Sequence, residues 1–275
     1  MGLVGGLTAV VAGGVAMRIA LGVEYDGSAF SGWQTQQGVP TVQEAMERAL
    51  SKVADHPVNV VCAGRTDAGV HAACQVIHFD TEARRPDHAW VFGANANLPP
   101  EVSALWARPV VEEFHARFSA LRRRYRYVIL NRPVRPTYLA WRCAWEYRPL
   151  DENRMAQAAQ YLLGEHDFSS YRAQACQAKS PVRTIYRLDV SRHGAFVVID
   201  VEANAFLHHM VRNIAGVLMD IGAGKREPEW AGEVLAARDR ALGGVTAPPH
   251  GLYLQRISYP PRFDLPVLPE QPTLW

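Results

Sequence analysis

Arg65-Thr66-Asp67-Ala68-Gly69-Val70-His71 sets one carboxylate between a guanidinium and a glycine, and it runs into a strand-like stretch, Cys74-Gln75-Val76-Ile77-His78-Phe79. A loop anchored on a strand holds an acid at a fixed place while leaving its side chain open to a ligand. Asp67 is therefore the first candidate for chemistry. Turn formation alone also accounts for the pattern, since an Asp two residues before Gly bonds local amides while Gly69 takes a positive φ. The remainder of the chain has to decide between the two.

Working outward, residues 18–25 alternate as a strand that Asp26-Gly27-Ser28 ends with turn residues. Thr41-Val42-Gln43-Glu44 has the form of a capping box, and Val42, Ala45, Met46, Ala49, Leu50 and Val53 follow at helical spacing. Strands are expected near 58–62 and up to Phe79, and a short helix over 90–97 that Leu98-Pro99-Pro100 stops. The pattern then restarts: a strand over 125–131, a proline-bearing connection, a helix over 151–163, and a hairpin of 184–192 with 195–202 turning at His193-Gly194. A helix over 208–221, a shorter one after Pro228 and a last strand over 252–259 complete it. Strand, helix, strands, helix and strand thus occur twice, which predicts an α+β fold of two halves with antiparallel sheets. The expected division is an N-terminal half over 17–120 carrying the Asp67 loop, a C-terminal half over 121–260, and a proline-rich tail over 261–275. Residues 1–16 are apolar and glycine-rich, with no cation ahead of the apolar run, and are expected to be a disordered or non-native extension before a start at Met17.

The chain of 275 residues has a net charge of only +2, yet three of its 29 basic residues are lysines and the rest arginines, which suit bidentate phosphate or carboxylate contacts. Cys62, Cys74, Cys143 and Cys176 show no paired spacing and no secretion signal precedes them, so a reduced cytoplasmic setting is expected. Metal ligation by His71, Cys74, His78 and Cys62 is conceivable by residue type, but Cys74, Val76 and His78 alternate along a strand and no second close pair follows. No nucleophile elbow, phosphate loop or dinucleotide fingerprint is present.

Two further segments carry chemistry. In Arg122-Arg123-Arg124-Tyr125-Arg126-Tyr127 guanidinium groups alternate with phenols, with Tyr125 and Tyr127 on one strand face and Arg124 and Arg126 on the other. Rings can stack on bases while cations meet phosphates, which favours nucleic-acid contact over an edge strand protected by charge. Asn204 to Asn213 crosses from strand end to helix start, where free amides and the dipole make a place for an anion. Arg212 is polar in an apolar helix and calls for a carboxylate partner. His208 and His209, as helix neighbours, would diverge by about 100° and share no ligand face.

These segments, with Tyr25 to Gln34, Phe114 to Ala120 and Thr246 to Leu252, resemble the tRNA pseudouridine synthase A family in order and over nearly the whole chain. The resemblance implies two ferredoxin-like halves joined into one central sheet, helices on one side, and a cleft between the halves. It implies homodimers that convert uridine to pseudouridine in the anticodon arm of tRNA, at positions 38, 39 and 40, without cofactor, metal or membrane. It places the nucleophile on Asp67, a tyrosine packing against uracil on Tyr125, and the aspartate's partner on Arg212. Arg65, Arg124, Arg126 and His208 are the further substrate-binding candidates. A non-enzymatic RNA-binding module and a metal-dependent hydrolase stand as the competing classes.

Overall fold

Alternation over the first strand is realised as β1 (Met17–Tyr25) in a computed structural model that describes residues 16–268. The expectations for residues 1–16, apart from Ala16, and for 269–275 of the tail lie outside the described residues. The helical spacing that follows folds as α1 (Val42–Ala54), with Val42, Ala45, Met46, Ala49 and Leu50 buried. The expected capping box does not form. Thr41 is extended and heads the helix, but its side chain makes no cap bond. The orphan donors of the first turn go instead to the carbonyls of Gly32 and Trp33, from Val42 N (3.2 Å) and Gln43 N (3.0 Å), because the chain before the helix folds back over its end.

The N-terminal half continues through β2 (Val61–Cys62), β3 (His71–Thr81), α2 (Asp87–Asn95) and β4 (Val102–Val110). The C-terminal half has β5 (Arg122–Asn131), β6 (Ala144–Glu146), α3 (Glu152–Gln160), β7 (Gly164–Asp167), β8 (Val182–His193), β9 (Phe196–Ala203), α4 (Met210–Gly222), α5 (Trp230–Ala237) and β10 (Leu252–Ser258). The sequence reading assigns no strand to 102–110, 144–146 or 164–167. β4 lies at the edge of the sheet, the position where a strand tolerates Pro109, and β6 and β7 are too short to show a period.

Mixed α+β architecture follows, with a 10-stranded sheet in the order β4-β1-β3-β10-β5-β9-β8-β7, β2 pairing with β3 and β6 with β5. β1 is antiparallel to both β3 and β4, and β9 to both β5 and β8, as the two-half pattern predicts. The join between the halves differs. β10 pairs parallel to β3 through Tyr253 with His71 and Leu254 with Ala72. The loops leading into β3 and β10 are therefore brought to the same end of the sheet, and this is what builds the site.

β5 is an internal strand between β10 and β9, so its charges do not protect an edge. Tyr125, Tyr127 and Ile129 join the main core on one face. Val128 and Leu130 pack with Cys143 on the other, beneath residues 132–143. Phe263, early in the proline-rich stretch, is buried against Phe114 with ring centroids 5.2 Å apart.

Candidate active site

The loop between β2 and β3 is clamped from several sides. Trp33 N donates to Thr66 O (3.0 Å), the Tyr25 and Thr66 hydroxyls share a hydrogen bond of 2.8 Å, and Gln75 Nε2 donates to Gly64 O (2.6 Å). Gly69 adopts φ +76°, the left-handed turn expected from Asp-Ala-Gly, and Val70 N closes it on Asp67 O (3.1 Å). A Cβ on Gly69 would lie 3.1 Å from Pro249 Cγ, so the turn before β10 rests directly on the turn before β3. Gly32, at φ +95°, brings its backbone so near Thr66 O that a Cβ would stand 2.8 Å away.

Asp67 meets three donors from one short segment at the head of α4. Arg212 Nη1 donates to Oδ2 (3.1 Å), His209 Nε2 lies 3.3 Å from Oδ2, and His208 Nε2 lies 3.3 Å from Oδ1. Arg212 is held in turn by its Nε, which donates to Ala247 O (2.8 Å), and Ala247 N donates back to Arg212 O (3.1 Å). That crossing is possible because Gly216 has no side chain: a Cβ there would sit 1.8 Å from Val245 O. The Arg212 side chain is 14% exposed and the Asp67 carboxylate 24%, so the pair is shielded yet reachable.

Tyr125 stands beside this cluster. Its ring packs edge-on against Phe206 (5.1 Å), and a Cβ on Gly64 would lie 3.9 Å from its hydroxyl. Burial, and then the Asp67 charge, push the phenol to a higher pKa, so the hydroxyl keeps its proton at neutral pH. His209 is pushed the other way, mainly by burial, with Arg212, His208 and Arg240 opposing the pull of Asp67.

Asp67, Tyr125, Arg212 and His208 are brought together as the sequence suggests, from segments far apart in the chain. The other binding candidates are not. Arg65 is exposed and makes no ion pair with Asp67 among the described residues. Arg124 and Arg126 share Asp200 on the opposite sheet face, at 3.5 Å and 2.8 Å.

The reading of His208 and His209 as diverging helix neighbours is corrected. The helix begins only at Met210, because His209 takes φ +61°, and the kink turns both rings to one carboxylate with centroids 4.0 Å apart. Sequence reasoning sets His209 aside on that helical geometry and gives no role to Phe206 or the Tyr25–Thr66 pair; the only signal for any of them is the unusual His-His pair at a helix start.

Ligand atoms of Asp67, His208 and His209 lie within 4.8 Å of one another, close enough for a cation in principle. The Arg212 guanidinium already fills the cation's place beside Oδ2. The earlier metal candidates are engaged otherwise. The Nδ1 atoms of His71 and His78 accept from Gly27 N and Ala116 N, and burial pushes the Cys62 and Cys74 thiols up to about 12 and about 11.

Arg123, read at first only as part of a basic run, proves to be a staple. It donates to the carbonyls of Ala63 (3.1 Å), Arg117 (2.8 Å) and Asn204 (2.8 Å), tying the Asp67 loop to the strand end that leads to His208.

A profile of the family described as tRNA pseudouridine synthase matches residues 22–119 and 158–260. The chain belongs to the tRNA pseudouridine synthase family. It is 64% identical over 259 residues to tRNA pseudouridine synthase A of Nitrosococcus oceani, covering 94% of this chain and 100% of that one. The corresponding proteins of Pseudomonas aeruginosa (63% identity, 90% and 88% covered) and Coxiella burnetii strain Dugway 5J108-111 (60% identity, 93% and 98% covered) are similar along almost their full lengths. Among solved structures, a chain of a Cbf5-Nop10-Gar1 complex superposes with a TM-score of 0.38 at 14% identity, over 86% of this chain and 48% of that one. A tRNA pseudouridine synthase is an isomerase. Among the described residues no helix is long and apolar enough to cross a membrane.

Proposed function

We propose that this protein isomerises uridine to pseudouridine in the anticodon arm of tRNA, with Asp67 as the nucleophile acting on a flipped-out nucleoside. The observation that carries the reading is Asp67 held against Arg212 at 3.1 Å beside a buried Tyr125. The target base leaves its stack at a cost of a few kcal/mol, which contacts in the pocket offset. Tyr125 packs against the uracil and relays protons, its hydroxyl being protonated and next to the carboxylate. Arg212, with the histidine pair, holds the Asp67 carboxylate in place and aimed.

The steps balance without an outside group. The N1–C1′ bond breaks, uracil turns, C5 bonds to C1′, the C5 proton leaves and N1 gains one. Asp67 assists the first step by attacking C1′, by attacking the ring, or by drawing a sugar proton to give a glycal. No electron is gained or lost, so no redox cofactor enters. Arg65, exposed at the mouth of the loop, and His208 are the residues best placed to touch the RNA from this side of the sheet. Work as a homodimer, in a cytoplasmic setting where the four free thiols stay reduced, completes the proposal. The division into halves near residue 120 belongs to it as well.

Tritium release from C5-labelled uridine in tRNA tests it. Folded protein that releases none would remove the assignment, and hydrolysis in its place that chelation abolishes would favour a metal hydrolase.

A further inference from the structure

Between β5 and α3 the chain runs through residues 132–148, a segment the chemistry above leaves unused. It carries Arg132, Arg135, Arg142 and Arg148 against one acid, Glu146, which is buried and accepts from Arg148 Nε (2.8 Å). Large rings face outward from it: Tyr138 is 82% exposed, Trp141 61% and Tyr147 60%. Such surface is hidden where folding alone sets the pattern.

The segment is firmly built. Trp145 Nε1 donates to Arg132 O (2.8 Å), and Asn131 Nδ2 donates to Glu146 O (3.0 Å) and Arg148 O (2.6 Å). Its inner side touches the Asp67 turn through a short chain of contacts. Trp141 meets His250 edge-on at 4.7 Å, and His250 lies against Gly69. Arg142 pairs with Asp26 at 3.2 Å, in the turn after β1, and Tyr253, whose hydroxyl donates to Arg142 O, stacks on His71 at 4.7 Å.

We propose that residues 132–148 form a second RNA-contacting surface next to the active site, with Trp141 and Tyr138 stacking on unpaired tRNA bases near the target uridine and Arg135 reaching phosphate. This rests on the reading of the protein as a tRNA uridine isomerase and adds a subsite to it. Charge selects the partner. Arg142 and Arg148 are paired with Asp26 and Glu146, but Arg132 and Arg135 meet no acid among the described residues, so two copies of the surface would set like charges together, whereas RNA brings phosphates for these cations and π-faces for the rings.

Binding of fluorescein-labelled tRNA, tritium release and sedimentation of wild type, Trp141→Ala, Trp141→Phe, Tyr138→Ala and Arg135→Ala test it. Wild-type release is measured first, so that failure of the enzymatic reading is seen separately. Trp141→Ala is expected to weaken tRNA binding about tenfold, with the loss in KM rather than kcat, and Trp141→Phe to recover most of it, since a ring stacks where a methyl cannot. Tyr138→Ala should act in the same direction at a position with no packing role, so a poorly folded Trp141 variant leaves the test intact. Arg135→Ala should lower the slope of log Kd against log salt by about 1. Unchanged tRNA affinity in the Tyr138 and Trp141 variants, beside normal wild-type release, would overturn the proposal. A loss of affinity that tracks dissociation of an oligomer would overturn it too and give the surface to a second copy.

Discussion

Asp67 owes its setting to three donors that one short segment at the head of α4 supplies. Replacing it with Asn keeps the shape of the side chain but removes its negative charge and nucleophilic oxygen. Asp67→Asn is expected to abolish tritium release while leaving tRNA affinity within about threefold, because the carboxylate does chemistry more than binding. The variant should also unfold at lower urea, by roughly 1–3 kcal/mol, since Arg212 is left shielded without its counter-ion. A variant that loses affinity and turnover together would make Asp67 a binding residue. Tyr125→Phe keeps the ring against Phe206 and removes only the hydroxyl. If that group relays a proton, release should fall by about 10²-fold or more at unchanged Kd; unaltered turnover would leave Tyr125 with packing alone.

Strands and helices place these residues through a few exact approaches. Arg123 leaves β5 to collect carbonyls from the Asp67 loop, from residue 117 and from the end of β9. Burial lowers its pKa, and carbonyl oxygens rather than a carboxylate satisfy it. Arg123→Met fills similar volume but strips those acceptors of their donor. It is expected to lower stability by about 2–4 kcal/mol in urea titrations, and to lower kcat as the loop loosens. Wild-type stability in this variant would show that water replaces the guanidinium at no cost. Arg212 depends on the same kind of approach, since its grip on Ala247 requires the chain to cross α4 where Gly216 leaves room.

At the scale of the molecule, one sheet runs through both halves and buries titratable groups between its layers. His78 is pushed down to about 4, first by burial and then by Arg18 and His115, and His71 is lowered by burial as well. Both are neutral in the fold and take up a proton more readily when unfolded. Between their ordinary value and the lowered one the unfolded chain therefore binds more protons, so stability is full above about pH 6.5 and is lost as pH falls toward 4. Thermal unfolding is expected to show this slope, and His78→Asn, whose side-chain oxygen still accepts from Ala116 N, should flatten it. An unchanged slope in that variant would move the effect to the other buried groups.

Much of this was legible in the residues themselves. Asp-Ala-Gly dictates a left-handed turn, alternation and helical spacing give the two α+β runs, and a guanidinium in an apolar helix demands an acid. Element ends were less legible where the chain supplies unusual partners, as at Thr41, whose helix is capped by carbonyls from residues 32 and 33. The tertiary structure alone decided which charges face the site. It gave Arg124 and Arg126, which alternation already set opposite Tyr125, their partner Asp200, turned His209 into the cluster through a positive φ, and joined Asp67 to Arg212 across 145 residues. Local pattern carries period and residue type, whereas the approach of the Asp67 turn to the turn before β10, on which Arg212 rests, comes from the parallel pairing of β3 with β10, a contact between strands whose sequences hold no record of each other.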